Sequence, residues 1–288
     1  MENFKLFIQL TRLNKPIGSM LLFWPCIWGL TIAYNFSSSL NNFFFYTILF
    51  FLGSILMRSA GCIVNDIADK NFDKRVVRTK NRPIASEKIS IKIATLYVLI
   101  LCALAFLVLI NFNHFTILMA LISMPLAFTY PLMKRFTYWP QLFLGITFNH
   151  GLVLAWISIE NEISIVPIIF YFGAIFWTLG YDTIYGYQDI KDDEIIGVKS
   201  TSIKFKNSPK KFILISYLVF VISLIFVGIL MKFKIYYYLF LIIPIIHLFF
   251  FQIKKLKVNN PINCFNKFKS NNFLGLVIFI NILIGKII

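Results

Sequence analysis

The chain has 288 residues, of which 59% are hydrophobic and only 14% are charged, and its mean hydropathy is +0.78. Soluble domains are about 45–50% apolar and about 25% charged, so this composition excludes a soluble enzyme. A formal net charge of +16 is typical of nucleic-acid-binding proteins when it stands alone, but its distribution along this chain gives it another meaning.

Apolar stretches separated by polar breaks predict nine membrane-spanning helices. A spanning helix needs about 20 mostly apolar residues, and runs of this length do not fit the short alternating segments of a β-barrel. We therefore expect an all-α, multi-spanning membrane helix bundle that forms a single domain over residues 1–288. The predicted spans are residues 16–35, 42–63, 89–110, 114–131, 138–158, 163–181, 211–231, 235–252 and 270–288.

Basic residues give the predicted bundle an orientation. Of the 28 lysines and arginines, 24 fall on the side of the N-terminus and three on the opposite side, while Arg58 lies inside the second span. Because cytoplasmic loops carry the excess of basic residues, the N-terminus and two enlarged loops, at about 64–88 and 182–210, are expected in the cytoplasm. The positive net charge is then explained by the orientation of the helices in the membrane and does not indicate a nucleic-acid partner. No obligate protein partner is expected either.

The N-terminal sequence predicts a retained helix and a bacterial inner membrane. The first apolar run is long and lacks a small-residue cleavage site, so it does not resemble a secretory signal peptide. An Arg- and Ser-rich leader of the mitochondrial kind is also missing. We therefore expect an integral protein of a bacterial inner membrane, rather than of a mitochondrion.

The first acidic cluster follows the second predicted span. It reads NDIADKNFD over residues 65–73, and a continued helix with about 100° of rotation per residue would place a set of polar side chains on one face. Arg58 would lie about two turns deeper than the asparagine, where a cation is costly and usually functional. That face comprises Arg58, Asn65, Asp66, Asp69 and Asp73.

The second acidic cluster follows the sixth predicted span and reads DTIYGYQDIKDD over residues 182–193. On a continued helix, Asp182, Asp189 and Asp193 would share an arc of about 40°, with Tyr185 beside them. The aspartates at positions 66 and 73 have the same spacing as those at 182 and 189, offset by 116 residues. This regularity indicates either an internal duplication or a coincidence.

Two opposed carboxylate faces predict a metal-diphosphate site. Mg²⁺ prefers oxygen ligands and is usually held by one or two carboxylates together with substrate phosphates. The neighbouring Arg78, Lys80 and Arg82 would bind the outer phosphate oxygens through charge-assisted hydrogen bonds. Such a site would stabilise diphosphate as a leaving group. The alternative is that these acids are solvated loop residues paired with loop bases.

At these two clusters the sequence resembles the UbiA superfamily of intramembrane prenyltransferases. NDIADKNFD at Asn65–Asp73 matches the NDxxDxxxD motif of that superfamily, and DTIYGYQDIKDD at Asp182–Asp193 is similar to its second aspartate motif. Four further strings extend the resemblance over most of the chain, and they look most like the enzymes that prenylate 4-hydroxybenzoate in quinone synthesis. The strings are RLNKPIGSMLLFWPCIWGL, MRSAGCIVND, YPLMKRFTYWPQLFLG and IGVKST.

The resemblance implies a fold, a cofactor and two substrates. The fold would be nine helices around a central cavity that the aspartate motifs cap, and the cofactor would be Mg²⁺. The donor would be a polyprenyl diphosphate and the acceptor 4-hydroxybenzoate, inside a protein surrounded by membrane lipid. The implied metal ligands are Asn65, Asp66, Asp69, Asp73, Asp182, Asp189 and Asp193. The implied substrate-binding residues are Arg58, Arg78, Arg82, Tyr130, Lys134 and Tyr185. The implied catalytic residues are Arg58, Asp69, Asp73, Asp189 and Asp193.

The implied reaction transfers the polyprenyl group to the ring carbon ortho to the acceptor's hydroxyl and releases diphosphate, as a step of ubiquinone biosynthesis. Arg58 would pair with the acceptor's carboxylate, which would give a buried cation a buried partner. The apolar bundle would admit the isoprenoid tail and keep water away from an allylic cation.

Three alternatives stay open at this stage. A UbiA-type enzyme with another acceptor, such as dihydroxynaphthoate, homogentisate, chlorophyllide or haem, would share the two-motif design. A membrane CDP-alcohol phosphotransferase would need a DG dipeptide, which neither cluster contains. A transporter would place ionisable groups beside broken helices at mid-membrane, whereas the charges here, apart from Arg58, gather at one face, which suits a capped reaction chamber better.

Overall fold

Long apolar runs fold into long helices throughout the computed structural model, which describes residues 2–288 of the chain. Eight helices are long and apolar enough to cross a membrane, and a ninth apolar helix, Ile17–Ala33, has 17 residues. No β-strand occurs within residues 2–288. The predicted all-α bundle of about nine spanning helices is therefore confirmed, and the protein is an integral membrane protein.

The helices are numbered in chain order. They are α1 (Glu2–Thr11), α2 (Ile17–Ala33), α3 (Leu40–Ala68), α4 (Lys70–Asp73), α5 (Ile91–Leu109), α6 (His114–Thr129), α7 (Pro140–Glu160), α8 (Ile165–Gly186), α9 (Ile190–Ile196), α10 (Thr201–Lys204), α11 (Pro209–Leu230), α12 (Ile235–Phe240), α13 (Ile242–Ile245), α14 (Pro261–Lys269) and α15 (Asn271–Ile287). A 3₁₀ turn, Tyr130–Arg135, continues α6, and a π-helix, Ile246–Lys254, continues α13.

The first eight predicted spans agree with these helices to within a few residues, but the division of the eighth span and the start of the ninth were not predicted. The eighth span divides into α12, α13 and the π-helix. Pro244 lies just before the π-helix and has no backbone N–H to donate to the preceding turn. The ninth span begins earlier than predicted, because α14 precedes α15 and meets it at Ser270.

Short polar side chains mark where several spans begin. The hydroxyl of Ser90 accepts a hydrogen bond from the backbone N–H of Ile93 at the start of α5. Asn113 caps α6 in the same way through the N–H of Thr116, at 2.8 Å. Such caps accept hydrogen bonds from backbone N–H groups that have no acceptor inside the helix. Without a cap, and where water is scarce, these N–H groups would be left without a partner at a cost in free energy.

One half of the bundle, formed by α2, α7, α8, α11 and α15, is packed around large aromatic side chains. Trp28 and Trp177 are fully buried with ring centroids 5.0 Å apart, and Phe220 stacks on Trp177 at 5.9 Å. Both indoles also donate hydrogen bonds to the C-terminal span, Trp28 to the carbonyl of Gly275 and Trp177 to the side chain of Asn271. We call this half the packed half.

The other half is built from α3, α5 and α6 and encloses a cavity against α2 and α7. Two of its helices, α5 and α6, bury much less of their surface within the protein than α7, α8 and α11 do. We call it the open half. The last turns of α3 and α8 lie at the same end of the bundle, because the segments that follow them contact each other. We call this the aspartate end.

Candidate active site

The first acidic cluster stands where α3 ends. The α-helix stops at Ala68, Asp69 leaves helical geometry with φ −97° and ψ 5°, and α4 then forms one short turn. The condition on which the shared face was predicted, that the second helix continues through this cluster, is therefore met only as far as Ala68. The break occurs at a residue whose side chain is drawn to Lys134 on another span.

The second cluster is also interrupted. Helix α8 ends at Gly186, Asp189 lies in the turn that follows, and α9 begins at Ile190. The expected continuous face of Asp182, Asp189 and Asp193 is therefore divided between two helices and a turn. Asp182 stays on the last full turns of α8, deeper in the bundle than the other two.

The two acidic clusters lie against each other. Arg78, from the loop after the first cluster, donates from Nε to both carboxylate oxygens of Asp189, at 2.9 and 3.0 Å. The same guanidinium donates to the hydroxyl of Tyr185 at 3.2 Å, and the backbone N–H of Val77 donates to Asp192 at 3.2 Å. Segments more than 100 residues apart in sequence thus form one polar surface at the aspartate end.

Two of the aspartates are neutralised by the same arginine. Arg82 Nη1 donates to Asp66 at 3.1 Å and to Asp73 at 2.9 Å. Asp66 is also held by Arg12, which donates to both of its oxygens at 2.9 and 2.8 Å. The side chain of Asp66 is only 2% exposed, so a pair of arginines balances a deeply buried carboxylate.

Asp69 has one oxygen bound and one free. Lys134, from the 3₁₀ turn after α6, donates to Oδ2 of Asp69 and lies over the ring of Phe72, 5.6 Å from its centroid. The other oxygen, Oδ1, is buried without a partner among the described residues. Burial raises the pKa of Asp69, against the opposing effect of Lys134. An orphaned carboxylate oxygen beside like charges is a plausible ligand atom for a cation.

Other oxygen donors at this end are also uncommitted. Within residues 2–288, the side chains of Asn65, Asp182 and Asp193 have no hydrogen-bond or ion-pair partner. Burial, and then the neighbouring charge of Asp189, raise the pKa of Asp193 to about 6. No three acidic, histidine or cysteine side chains of the described chain are close enough to hold one metal ion. These donors fit Mg²⁺, which is usually held by one or two carboxylates and substrate phosphates.

A cavity of about 420 Å³ lies in the open half, and its polar groups include Arg58 and Tyr130. The remaining wall is mostly apolar and is contributed by α2, α3, α5, α6 and α7. Phe106 and Leu121 line the cavity and are also 48% and 46% exposed on the bundle surface, so this part of the wall faces lipid. The cavity is therefore suited to an apolar molecule with one polar end.

Arg58 is a cation without an anion. Its guanidinium lies over Phe148, 5.3 Å from the ring centroid, and its Nε is buried without a hydrogen-bond partner. No carboxylate of residues 2–288 forms an ion pair with it. Gly18 lies against it, because a Cβ at this position would stand 2.5 Å from Nε. A half-buried cation that forms no ion pair indicates that an anionic ligand completes the site.

The structure adds residues that the sequence analysis did not single out. Arg12 belongs to the N-terminal string RLNKPIG, but the string does not show that it contacts Asp66. Phe72 lies beneath Lys134 and Arg135, and Phe148 lies beneath Arg58. Ring positions of this kind depend on how distant helices pack, and no sequence spacing reveals them.

Comparisons with known proteins bear on the family and the fold of the chain. The sequence profile of the UbiA prenyltransferase family matches residues 22–281. The chain is similar to the mitochondrial 4-hydroxybenzoate polyprenyltransferase of Bos taurus, with 41% identity over 98% of this chain and 75% of the relative. It is also similar to the 4-hydroxybenzoate octaprenyltransferase of Francisella tularensis, with 38% identity over 100% of this chain and 98% of the relative.

Solved structures share the fold. The apo structure of a UbiA homologue from Aeropyrum pernix superposes with a TM-score of 0.75, at 21% identity over 93% of this chain and 97% of that one. A UbiA homologue from Archaeoglobus fulgidus, bound to GPP and Mg²⁺, gives a TM-score of 0.68 at 20% identity over 96% and 99% of the two chains. At these identities the likeness shows the helical architecture alone.

Proposed function

This chain belongs to the UbiA prenyltransferase family, and we propose that it transfers a polyprenyl group from polyprenyl diphosphate to 4-hydroxybenzoate and releases diphosphate. The new bond forms at the ring carbon ortho to the hydroxyl, as a step of ubiquinone biosynthesis. Relatives at 38–41% identity over nearly the whole chain carry this activity in their names, which supports the assignment of the acceptor.

The observation that carries this proposal is the unpaired Arg58 in the wall of an apolar cavity. A carboxylate on the acceptor would form an ion pair with the guanidinium of Arg58. Tyr130, in the same cavity wall, would line the acceptor's binding site. An acceptor without a carboxylate would leave the guanidinium buried and uncompensated, which is expensive. This favours hydroxybenzoate over carboxylate-free acceptors.

The donor's diphosphate would bind at the aspartate end. Arg78, Arg82 and Lys134 supply cationic donors there, and each is paired with an aspartate in the substrate-free protein. Mg²⁺, when bound, would neutralise charge on the leaving diphosphate. Its ligands would come from the uncommitted oxygens of Asn65, Asp69, Asp182 and Asp193, together with Asp73 and Asp189 after their arginines turn to phosphate. Asp66, with both oxygens ion-paired, would support the other residues.

The protein's own residues would then control the reaction. The bond from the allylic carbon to the diphosphate oxygen breaks, and its electron pair leaves with the diphosphate that Arg78, Arg82 and Lys134 hold. The ring carbon of the acceptor, oriented by Arg58, supplies the electrons of the new carbon–carbon bond, and the ring proton is lost to restore aromaticity. The apolar wall and Phe148 exclude water that would quench the allylic cation.

The same surface supports a proposal for how the protein is oriented in its membrane. Lys134, Arg12, Arg78 and Arg82 all contact aspartates at the aspartate end. Because basic residues mark the cytoplasmic side, we propose that this end, with Tyr185, faces the cytoplasm. The chain would then act as one membrane domain in a bacterial inner membrane, where the donor's tail reaches the cavity from lipid.

Membranes that contain the protein, labelled 4-hydroxybenzoate, a polyprenyl diphosphate and Mg²⁺ provide the test. We expect prenylated product that disappears when Mg²⁺ is chelated and in the variants Asp69→Ala and Asp189→Ala. Glu87→Ala is the matched control, because Glu87 is an exposed acid of the same loop that pairs only with Lys70 and Lys74. Activity of the Asp69 and Asp189 variants equal to that of the control would overturn the proposed site.

A further inference from the structure

The N-terminal helix α1 packs against the base of the first acidic cluster. Leu10 is fully buried in an apolar cluster with Ile63 of α3 and Ile84 of the loop after the aspartates. Phe7 contacts Tyr97 of α5 edge to face, with centroids 5.1 Å apart. Helix α1 thus touches α3, α5 and the loop that carries Arg78 and Arg82, although it lies outside the predicted spans.

Arg12, directly after α1, has a backbone conformation that few residues other than glycine adopt. Its φ is +60°, and such left-handed geometry is unfavourable for an L-residue. The conformation turns the guanidinium back over the end of α1, where Nη1 donates to the carbonyls of Gln9 and Leu10. Nη2 is left to donate to both oxygens of Asp66. A single side chain therefore closes the helix end and binds the aspartate.

This contact begins a chain of alternating charges. Arg12 binds Asp66, Asp66 binds Arg82, and Arg82 binds Asp73. The two arginines are 22% and 21% exposed, whereas the two carboxylates are 2% and 9% exposed. In such a buried chain the loss of one cation leaves charge without compensation, so each member influences where the others can bind.

We propose that Arg12 is a positioning residue for the diphosphate site: it neutralises Asp66 so that Arg82 stays available to Asp73 and to the donor's phosphate oxygens. The inference rests on the proposed function, since it concerns the same reaction. Without Arg12, the buried Asp66 has Arg82 as its one remaining ion-pair partner. Arg82 is then drawn deeper toward Asp66, and the donor loses a cation that it would otherwise bind.

The test compares Arg12→Ala with Lys5→Ala in the full-length protein. Lys5 is an exposed residue of α1 that forms no ion pair with any side chain of residues 4–288, so its replacement removes a charge from the same helix without touching Asp66. For Arg12→Ala we expect a rise of about tenfold, equivalent to roughly 1.4 kcal/mol, in the KM for the polyprenyl diphosphate. The KM for 4-hydroxybenzoate should be unchanged, because Arg58 is not part of this charge chain.

Amide hydrogen exchange on the purified protein supplies a readout independent of activity. Arg12→Ala should increase exchange in residues 4–11 and 74–90, while Lys5→Ala should not. Arg12→Lys should recover only part of the donor affinity, since lysine cannot make the forked contacts of arginine. A donor KM that matches Lys5→Ala would overturn the positioning role, and so would equal rises in the KM values of both substrates. If the unaltered protein forms no product, the proposed function fails instead.

Discussion

The packed half and the open half differ in how much of each helix the protein itself buries. In the packed half, 61% of the most apolar stretch of Ile165–Gly186 is buried, and 50% of that of Pro209–Leu230. In the open half the corresponding shares are 22% for Ile91–Leu109 and 17% for His114–Arg135. Leu40–Ala68 of the open half (39%) and the C-terminal span Pro261–Ile287 (33%) lie between these values. The contrast in internal packing is therefore sharpest between α8 and α11 on one side and α5 and α6 on the other.

This difference matches the tasks that we propose for the two halves. In the packed half, buried aromatic contacts of Trp177 and Tyr181 anchor the part of α8 that leads into the second acidic cluster. The open half surrounds the cavity and borders the lipid at Phe106 and Leu121. Helices with few contacts inside the protein separate at a small cost in free energy. Such separation would let a long isoprenoid tail enter the cavity from the lipid.

The largest expected effect is loss of folding when the packed half is forced apart. A Cβ at Gly29 of α2 would lie 2.1 Å from the backbone oxygen of Leu152 in α7. Backbone atoms cannot move aside as a flexible side chain can, so we expect Gly29→Ala to lower the free energy of unfolding by about 3 kcal/mol or more. Thermal unfolding in detergent measures this.

Gly53→Ala is the control for that substitution. Gly53 lies on α3 in the open half, and an added Cβ would meet nothing within 4 Å. Alanine is favoured over glycine in a helix by about 0.5–1 kcal/mol, so stability should be unchanged or slightly higher. Equal losses for the two variants would contradict the division into a packed and an open half.

Arg58→Ala tests whether the cavity of the open half recognises the acceptor's charge. We expect the KM for 4-hydroxybenzoate to rise ten- to hundredfold, because a charge-assisted contact in a site shielded from water is lost. The KM for the donor should change much less, and Arg58→Lys should fall between the two. Steady-state kinetics in membranes provide the measurement. An unchanged acceptor KM would show that Arg58 does not bind the carboxylate.

The sequence predicted the parts of this design that depend on local pattern. Apolar runs located the spans to within a few residues, and the clustering of acids pointed to one end of the bundle. The pairing of Arg78 with Asp189 and the position of Gly18 against Arg58 could not be predicted, because both depend on how distant helices cross. The breaks at Asp69 and after Gly186 were missed for a related reason: side-chain contacts with other segments compete there with helix continuation.

A buried amide in the packed half gives a smaller effect, on stability alone. The side-chain oxygen of Asn271 accepts from Trp177 Nε1 and from Gln252 Nε2, both at 2.9 Å. Asn271→Leu leaves both donors buried without that partner, and we expect a loss of about 1–3 kcal/mol in the free energy of unfolding.

Asn281, also on α15, is the matched control for Asn271. It is 1% exposed, and neither its Nδ2 nor its Oδ1 has a partner among the described residues. Asn281→Leu should therefore be neutral or stabilising, since it removes a buried polar group that is already unsatisfied. Thermal unfolding of both variants gives the comparison. A Tm for Asn271→Leu no lower than that for Asn281→Leu would argue against the amide as a link between α8 and α15.

The smallest expected effect falls on the donor's tail in the open half. Gly53 lines the cavity five residues before Arg58, about 7.5 Å along the axis of α3. A leucine there would fill cavity space instead of displacing packed atoms, so we expect Gly53→Leu to raise the KM about threefold for long polyprenyl diphosphates, equivalent to roughly 0.7 kcal/mol. The KM for dimethylallyl diphosphate should not change, because its tail is too short to reach this depth.

Steady-state kinetics with donors of increasing length provide the measurement, and Gly53→Ala again serves as the control. An increase that is the same for all lengths would mean that the leucine disturbs the diphosphate site, and an unchanged KM for every donor would show that the tail does not pass Gly53.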